Sequence, residues 1–575
     1  MKETIQRAVA EAVSRTASEL GLEEAPDLQR FTVERPANPS FGHFSTNAAM
    51  VYAKLFAPKM RAKGNPALAL AGRLITVLEG TGHFEAVEIK GPGFVNFRVG
   101  ARSWAGALGA MLAAGDRYGA GEPTGRRVLL EFVSSNPTGP LHVGHGRGAA
   151  WGDAAAGILA FLGDTVSREY YINDAGNQIR SLGKSVLFRL GDREGTPPEG
   201  LYRGAYVTDI ADDLRRRHPP EWFTRAEDEL LPELSREASD MILADMKADL
   251  DRFGVRFDTW FSERSLFSSG AVERTVKALS DAGWTYESDG ALFFSSTEFG
   301  DDKDRVLVKS GGDLTYFASD AAYHADKFAR GFDLAVDVLG ADHGGYLARM
   351  SAVVQAMGHD KSKLKIVLYQ LVNLTRGGEA YRMSTRAGEF VPLKAVLDEV
   401  SPDAARFMYL TQSHDSPLEF DVDLARTRTA DNPVYYVQYL CARISQVLRK
   451  AAPVLERAGP PDLELLKDPR EQELLAQLSG FPDAVRSAGR NLAPHHLASW
   501  LTETAGLFHH YYGACRMVTE EDPPLTAARC ALATACRQVV ASGLGLLGVS
   551  APERMELNPA TPDQGEAGTL GDSRD

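Results

Sequence analysis

At 575 residues, with 44% hydrophobic and 24% charged side chains, the chain has an ordinary globular composition and is too long for one core. Roughly three or four domains are expected. A formal net charge of −14 counts against bulk electrostatic binding of a polyanion, so any nucleic-acid recognition must rest on a few placed residues.

The chain opens on MKETIQRAVAEAV, where charges interrupt every apolar run; this is an amphipathic helix over Lys2–Leu20, not a signal peptide. No stretch reaches the length of a membrane span. Residues 1–120 read as a separate α+β module. ERPANPSFGHFSTNAAM turns through two prolines and Gly42 before a helix near Asn47, Pro66–Glu79 is a further helix, and Val87–Val99 is a hairpin-like strand pair. Phe41 in that turning segment is either core or an exposed ring.

The chain is organised around Glu131–Asp153, EFVSSNPTGPLHVGHGRGAAWGD. Arg127–Val133 is an apolar, β-branched run, the pattern of a strand buried in a parallel sheet. Gly146–Leu162 is Ala-rich and helical in character. Between them a Pro- and Gly-containing turn delivers His142 and His145 near the start of the helix. Such a turn aims backbone N–H groups and the positive helix end at a bound anion, usually phosphate, and two imidazoles there add donors that can follow charge building on a phosphoryl oxygen. Glu131 is the oddity, a carboxylate in a strand that otherwise reads as buried; such acids are rare unless paired, and a cationic substrate is one way to pair one.

His142-Val143-Gly144-His145 resembles the HIGH signature of class I aminoacyl-tRNA synthetases. The longer string E-x-x-S-x-N-P-T-G-x-L-H-x-G-H-x-R is similar to the form found in the arginyl-tRNA synthetase family. The resemblance implies a multi-domain α/β protein: an N-terminal α+β tRNA-binding domain over 1–120, a Rossmann-type parallel-sheet catalytic domain over 121–400 with an insertion around 190–300, and an all-α anticodon-binding domain over 401–556. The Gly-, Asp-, Pro- and Thr-rich tail 557–575 reads as disordered. It further implies a two-step ligase that uses ATP with Mg2+, L-arginine and tRNA(Arg). Arginyl-adenylate forms first, and the arginyl group then passes to the 2′-hydroxyl of the terminal adenosine; activation needs bound tRNA. No structural zinc, DNA or membrane enters, and a cytoplasmic monomer is expected.

Residue by residue, the resemblance places Glu131, Ser134, Ser135, Asn136, His145, Tyr316, Asp320 and His343 on arginine, with Glu131 and Asp320 facing its guanidinium. Two carboxylates are what selecting arginine's planar fork over lysine would need. Pro137, His142, Gly144 and His145 fall on ATP, and His142 and His145 on the transition-state phosphate. Asn38 and Phe41, in an N-P-x-F-G string, match positions that read an exposed tRNA base by hydrogen bond and stacking on the D-loop side.

Further along, REYYINDAGNQ (168–178) is also similar to the arginyl family and reads as a polar loop-to-helix junction. Tyr316 and Asp320 are four apart and share one face of a helix; Asp320 is also a candidate N-cap. Asp333–Tyr346 is an apolar strand ending in a polar loop, so Asp342 and His343 lie where ligands of such sheets bind. Arg382-Met383-Ser384-Thr385-Arg386 is similar to the KMSKS loop but has arginine at both lysine positions, and Gly139-Pro140 upstream offers no compensating lysine. Arg382 and Arg386 are the expected phosphate ligands, with Arg386 catalytic. From Ser401 helices dominate, and the Tyr435, Tyr436 and Tyr439 stripe is expected to be core. Two rivals stand beside this reading. A small nucleotidyltransferase of the same fold would lack the helical C-terminal part, and a tRNA-binding paralogue without catalysis would not need both histidines with Glu131 and Asp320.

Overall fold

The computed structural model describes residues 1–60, 64–192, 194–381 and 391–555. Its centre is a five-stranded sheet in the order Leu364–Tyr369, Leu334–Gly340, Arg127–Phe132, Thr165–Ile172, Thr259–Ser262, with every neighbouring pair parallel. Arg127–Phe132 lies in the middle because Val128, Leu129, Leu130 and Phe132 need cover on both faces, and all four are buried. The chain leaves this strand in one direction toward Thr165–Ile172 and later returns to its other side with Leu334–Gly340. A crevice therefore opens at the carboxyl ends.

The helix after the turn runs Val143–Phe161, three residues earlier than its Ala-rich run suggests, because His142 caps it. Its glycines are contacts with neighbouring elements. A Cβ on Gly152 would stand 2.3 Å from the Phe132 ring, and one on Gly148 would stand 2.8 Å from Tyr369. The helix thus lies closer to the sheet than alanine would permit.

Within residues 190–300, helices Ala205–Arg217 and Glu227–Arg252 follow Asn177–Gly191 to form a helical crossover. Strand Thr259–Ser262 then rejoins the main sheet as its edge. A small antiparallel sheet follows, Thr285–Ser288, Ala291–Phe294 and Arg305–Val308.

The N-terminal part is a four-stranded antiparallel sheet with helices Lys2–Glu19, Ala48–Met60, Pro66–Glu79 and Ala101–Ala114. Pro66–Glu79 starts where Asn65 accepts from Ala67 N, with proline in the first turn. The C-terminal part is helical, built on Pro433–Ala458, Pro494–Ala514 and Pro523–Leu546, and it buries all four cysteines. One short strand, Leu418–Asp421, pairs parallel with Val372–Arg376. Arg406, buried in its own helix, binds the parts together: it pairs with Asp153 of the Val143–Phe161 helix and donates to the carbonyls of Leu547 (3.1 Å) and Phe253 (3.2 Å). Among the described residues no helix is long and apolar enough to cross a membrane.

Candidate active site

At the carboxyl end of the central strand the backbone turns sharply. Val133 and Ser134 take φ of 67° and 39°, and Ser134 N donates back to Phe132 O at 2.9 Å, closing a three-residue turn. Positive φ at a β-branched residue is strained, and here it turns the chain out of the sheet into the crevice. Ser134 Oγ accepts from Tyr171 N (3.1 Å), and Asn136 Nδ2 donates to Gln178 Oε1 (2.7 Å).

The two histidines cap the helix reciprocally. His142 Nδ1 accepts from Gly144 N and His145 Nδ1 accepts from His142 N, each at 3.1 Å, and the rings stack with centroids 3.6 Å apart. A ring nitrogen that accepts a backbone N–H holds no proton, so in the neutral imidazole the proton sits on Nε2 of both rings. Burial pushes both imidazoles below their ordinary pKa, His145 to about 3, helped there by His142. At working pH the pair is therefore a set of neutral, fixed donors.

These rings face a cavity of about 960 Å³. Glu131, Ser134, Ser135, Asn136, His142, Gly144, His145, Tyr316, Asp320 and His343 all line it. Pro137 is buried in the turn and is not part of the lining. Asp320 is not a helix cap: Thr315 caps the Tyr316–Ala329 helix, leaving the Asp320 carboxylate on the cavity wall. Burial first, then Glu263 and Glu131, push it up to about 6, against an opposing pull from His324 and the Tyr346 hydroxyl. Glu263, which follows the edge strand, is buried, accepts from Ser319 Oγ (2.9 Å) and is also raised, chiefly by burial. The Asn173 amide, in the orientation its neighbours demand, donates to Glu263 Oε2 at 2.8 Å. Neither Asp320 nor Glu263 pairs with a lysine or arginine among the described residues. Among the described residues this pocket therefore holds two raised carboxylates with no lysine or arginine paired to either.

Glu131 differs from both. It sits in a row of acids across three adjacent strands, with Asp337 opposite it on one side and Glu169 on the other. The helix Tyr316–Ala329 and its next residue answer that row. Lys327 Nζ bridges Glu131 Oε2 (2.6 Å) and Asp337 Oδ1 (2.7 Å), and His324 Nε2 meets Asp337 Oδ2 (2.8 Å). Arg330 pairs with Glu169 through two nitrogens (2.6 and 2.9 Å), and Tyr323 donates to the same carboxylate at 2.7 Å. Burial alone would drive the wholly buried Lys327 ammonium toward neutrality, but Asp337 and Glu131 hold it above its ordinary value. Glu131 therefore already has a cation at Oε2, and the pairing it called for in the sequence is met within the chain.

Arg382, Met383, Ser384, Thr385 and Arg386 lie outside the described residues. The chain that follows them is tied to the histidine turn: Val391 O accepts from Val143 N (3.1 Å) and Leu393 N donates to Leu141 O (2.7 Å). Asn38 and Phe41 are far from the cavity in sequence and on another module. Asn38 Oδ1 accepts from Ser40 N (3.0 Å), and Phe41 is 43% exposed, so its ring is not core. Gly42 at φ 120° is required there, because a Cβ would meet Phe97 O at 2.7 Å. Sequence reasoning missed Glu263 and Tyr346. Glu263 could have been found as an acid directly after a short strand, where sheet ligands bind; Tyr346 carried no local signal. Among the described residues no cluster of three or more His, Cys, Asp or Glu is arranged to hold a metal.

Residues 2–99 match the family described as the arginyl tRNA synthetase N terminal domain. Residues 107–415 match the class I (R) tRNA synthetase catalytic domain, and 437–555 match the DALR anticodon binding domain. The chain is 44% identical over 562 residues to an arginine–tRNA ligase of Citrifermentans bemidjiense, covering 96% of this chain and 100% of that one. It is 47% identical over 539 residues to that of Nitratidesulfovibrio vulgaris, covering 92% and 96%. A solved putative arginyl-tRNA synthetase of Campylobacter jejuni superposes with a TM-score of 0.74 at 33% identity, over 80% of this chain and 100% of that one.

Proposed function

The chain belongs to the class I arginyl-tRNA synthetases and is an arginine–tRNA ligase, and from that premise we propose how its own residues perform the reaction. The observation that carries the reading is one cavity lined both by two raised carboxylates, neither paired with a lysine or arginine among the described residues, and by two imidazoles held neutral. The guanidinium of L-arginine lies against Asp320 and Glu263, with Tyr316 and Tyr346 beside it. Ser134, Ser135, Asn136 and His343 surround the remainder of the substrate, and Glu131 borders the floor. A planar fork presents donors in fixed directions and can pair bidentately with a carboxylate, a geometry that lysine's compact ammonium does not reproduce.

ATP enters over Gly144, accompanied by Mg2+, so that the α-phosphorus faces the arginine carboxylate. A carboxylate oxygen attacks, the bond to the pyrophosphate oxygen breaks, and arginyl-adenylate remains. The Nε2–H groups of His142 and His145 donate to the oxygens of the pentacoordinate phosphorus, where they are fixed in advance by capping. Arg382 and Arg386, by their match to the signature loop, hold the outer phosphates. The 2′-hydroxyl oxygen of the tRNA end then attacks the adenylate's carbonyl carbon, the bond to the phosphate oxygen breaks, and AMP leaves as the arginyl ester forms. Asn38 and Phe41 contact the tRNA, a reading that the exposed Phe41 ring supports. The domain limits are those expected above, 1–120, 121–400 and 401–556. A monomer that works in the cytoplasm, where its four buried thiols stay reduced, completes the reading.

Amino-acid-dependent ATP–pyrophosphate exchange, scanned over the standard amino acids with and without bulk tRNA, tests the reading. Exchange with arginine is expected, appearing when tRNA is added; exchange with another amino acid would overturn the Asp320 and Glu263 pocket. The raised Asp320 carboxyl adds a pH signature. Below pH 6 it gains a proton and loses its attraction for the guanidinium. The KM for arginine should therefore rise about tenfold from pH 7 to pH 5, with the KM for ATP nearly flat; a flat arginine KM would remove Asp320 from the contact.

A further inference from the structure

The loop between the central strand and the histidine turn holds a shape its backbone does not favour. Two consecutive non-glycine residues, Val133 and Ser134, stand at positive φ, and such strain persists only where the surroundings over-determine it. Two phenols supply that restraint. Tyr170 donates its hydroxyl to Ser135 O at 2.8 Å, and Tyr206 donates to Thr138 O at 2.8 Å. The donors come from separate elements. Tyr170 is wholly buried in the strand Thr165–Ile172, while Tyr206 reaches in from the helix Ala205–Arg217 of the crossover. Gly139 lies against Tyr206, where a Cβ would come within 3.3 Å of the hydroxyl. Burial raises both phenols above their ordinary value, so both remain donors at working pH. Neither lines the cavity.

We propose that the Tyr170 and Tyr206 hydroxyls are positioning groups for adenylate formation. They fix the backbone between Glu131 and His142 so that the amino-acid pocket and the histidine pair keep one relative geometry. Transfer at phosphorus depends on small displacements of the reacting groups, so a loosened loop slows the chemical step before it weakens binding. Through Tyr206 the helix Ala205–Arg217, which contributes no residue to the cavity lining, has a direct hold on the turn that faces the phosphate. The proposal rests on the assignment of His142 and His145 to the phosphate and of Asp320 to arginine.

Tyr170→Phe and Tyr206→Phe each remove one hydroxyl and keep the ring. In the full-length enzyme with arginine, ATP and tRNA, each should slow single-turnover adenylate formation about three- to tenfold. The KM values for arginine and ATP should stay within about twofold, and the melting temperature should fall by only a few degrees, about what losing one buried hydrogen bond costs. Rates within twofold of wild type in both variants would overturn the proposal. So would slowing matched by a rise in both KM values and a larger fall in melting temperature, the pattern of general loosening. Wild-type enzyme that forms no adenylate from arginine would instead overturn the assignment on which the proposal rests.

Discussion

His145→Asn should lower the rate of adenylate formation about 100- to 1000-fold while leaving the KM values for arginine and ATP within a few-fold of wild type. The asparagine amide reaches about as far as ring Nδ1, so it can still accept from His142 N and keep the helix cap. What it lacks is the distal Nε2–H that the capped tautomer aims into the cavity. The interaction is therefore lost mainly in the transition state, which is the condition for a fall in kcat without a rise in KM. His145→Ala should lose the cap as well and cost about 1 kcal/mol of stability besides. Active-site titration of adenylate and pyrophosphate exchange measure both variants; a loss below tenfold in His145→Asn would take His145 out of the phosphate contact.

Asp320→Asn has the other large expected effect, and its two consequences run in opposite directions. Truncating one partner of a desolvated charge pair costs about 2–5 kcal/mol, so kcat/KM for arginine should fall roughly 30- to 4000-fold. The amide also turns a donor toward a guanidinium that has only donors to offer. Stability should move the other way. A carboxyl whose folded pKa is raised to about 6 favours the folded state when protonated, and that contribution is lost as pH rises through 6. At pH 7.5 the ionised Asp320 therefore weighs against the ligand-free fold, and the neutral amide removes that load. Thermal unfolding without ligand should show Asp320→Asn melting above wild type at pH 7.5, with the gap roughly halved at pH 5 and closing only as pH falls to the unfolded carboxyl's 3.8. A variant that loses arginine affinity and melts lower would mean that Asp320 holds the fold together and only indirectly the substrate.

The parts of this site that were legible in the sequence are those set by neighbours along the chain. The strand, the turn and the histidines fall within one stretch of 27 residues from Arg127 to Asp153. Asn65 and Pro66 likewise fix the start of their helix locally. Glu131 stood out as an acid in an apolar strand, yet its partner could not be read, because Lys327 lies 196 residues away. That pairing follows from the order of the strands, which sets Asp337 and Glu169 on either side of Glu131. Glu263 was hidden for a related reason. Its strand, Thr259–Ser262, is short, half-buried and polar enough to pass for part of a loop until the sheet gives it a neighbour. Asp320 looked equally able to cap its helix, and Thr315 settled the matter by accepting from Ala318 N.

The row of acids across the sheet bears on how this pocket could be recoded. Each of Asp337, Glu131 and Glu169 already has its partner in His324, Lys327 or Arg330, all carried by one helix or the residue that ends it. Asp320 and Glu263 stand outside that ledger of pairs. An engineer who wished to admit an uncharged analogue such as citrulline could therefore neutralise those two side chains and leave the foundation intact. Any scheme that altered Lys327 or Glu131 instead would strand a charge beneath the pocket and disturb the wall that carries Asp320. On the proposed reading, selectivity and scaffold are separable, because the helix that carries Asp320 is held to the sheet by a different set of residues.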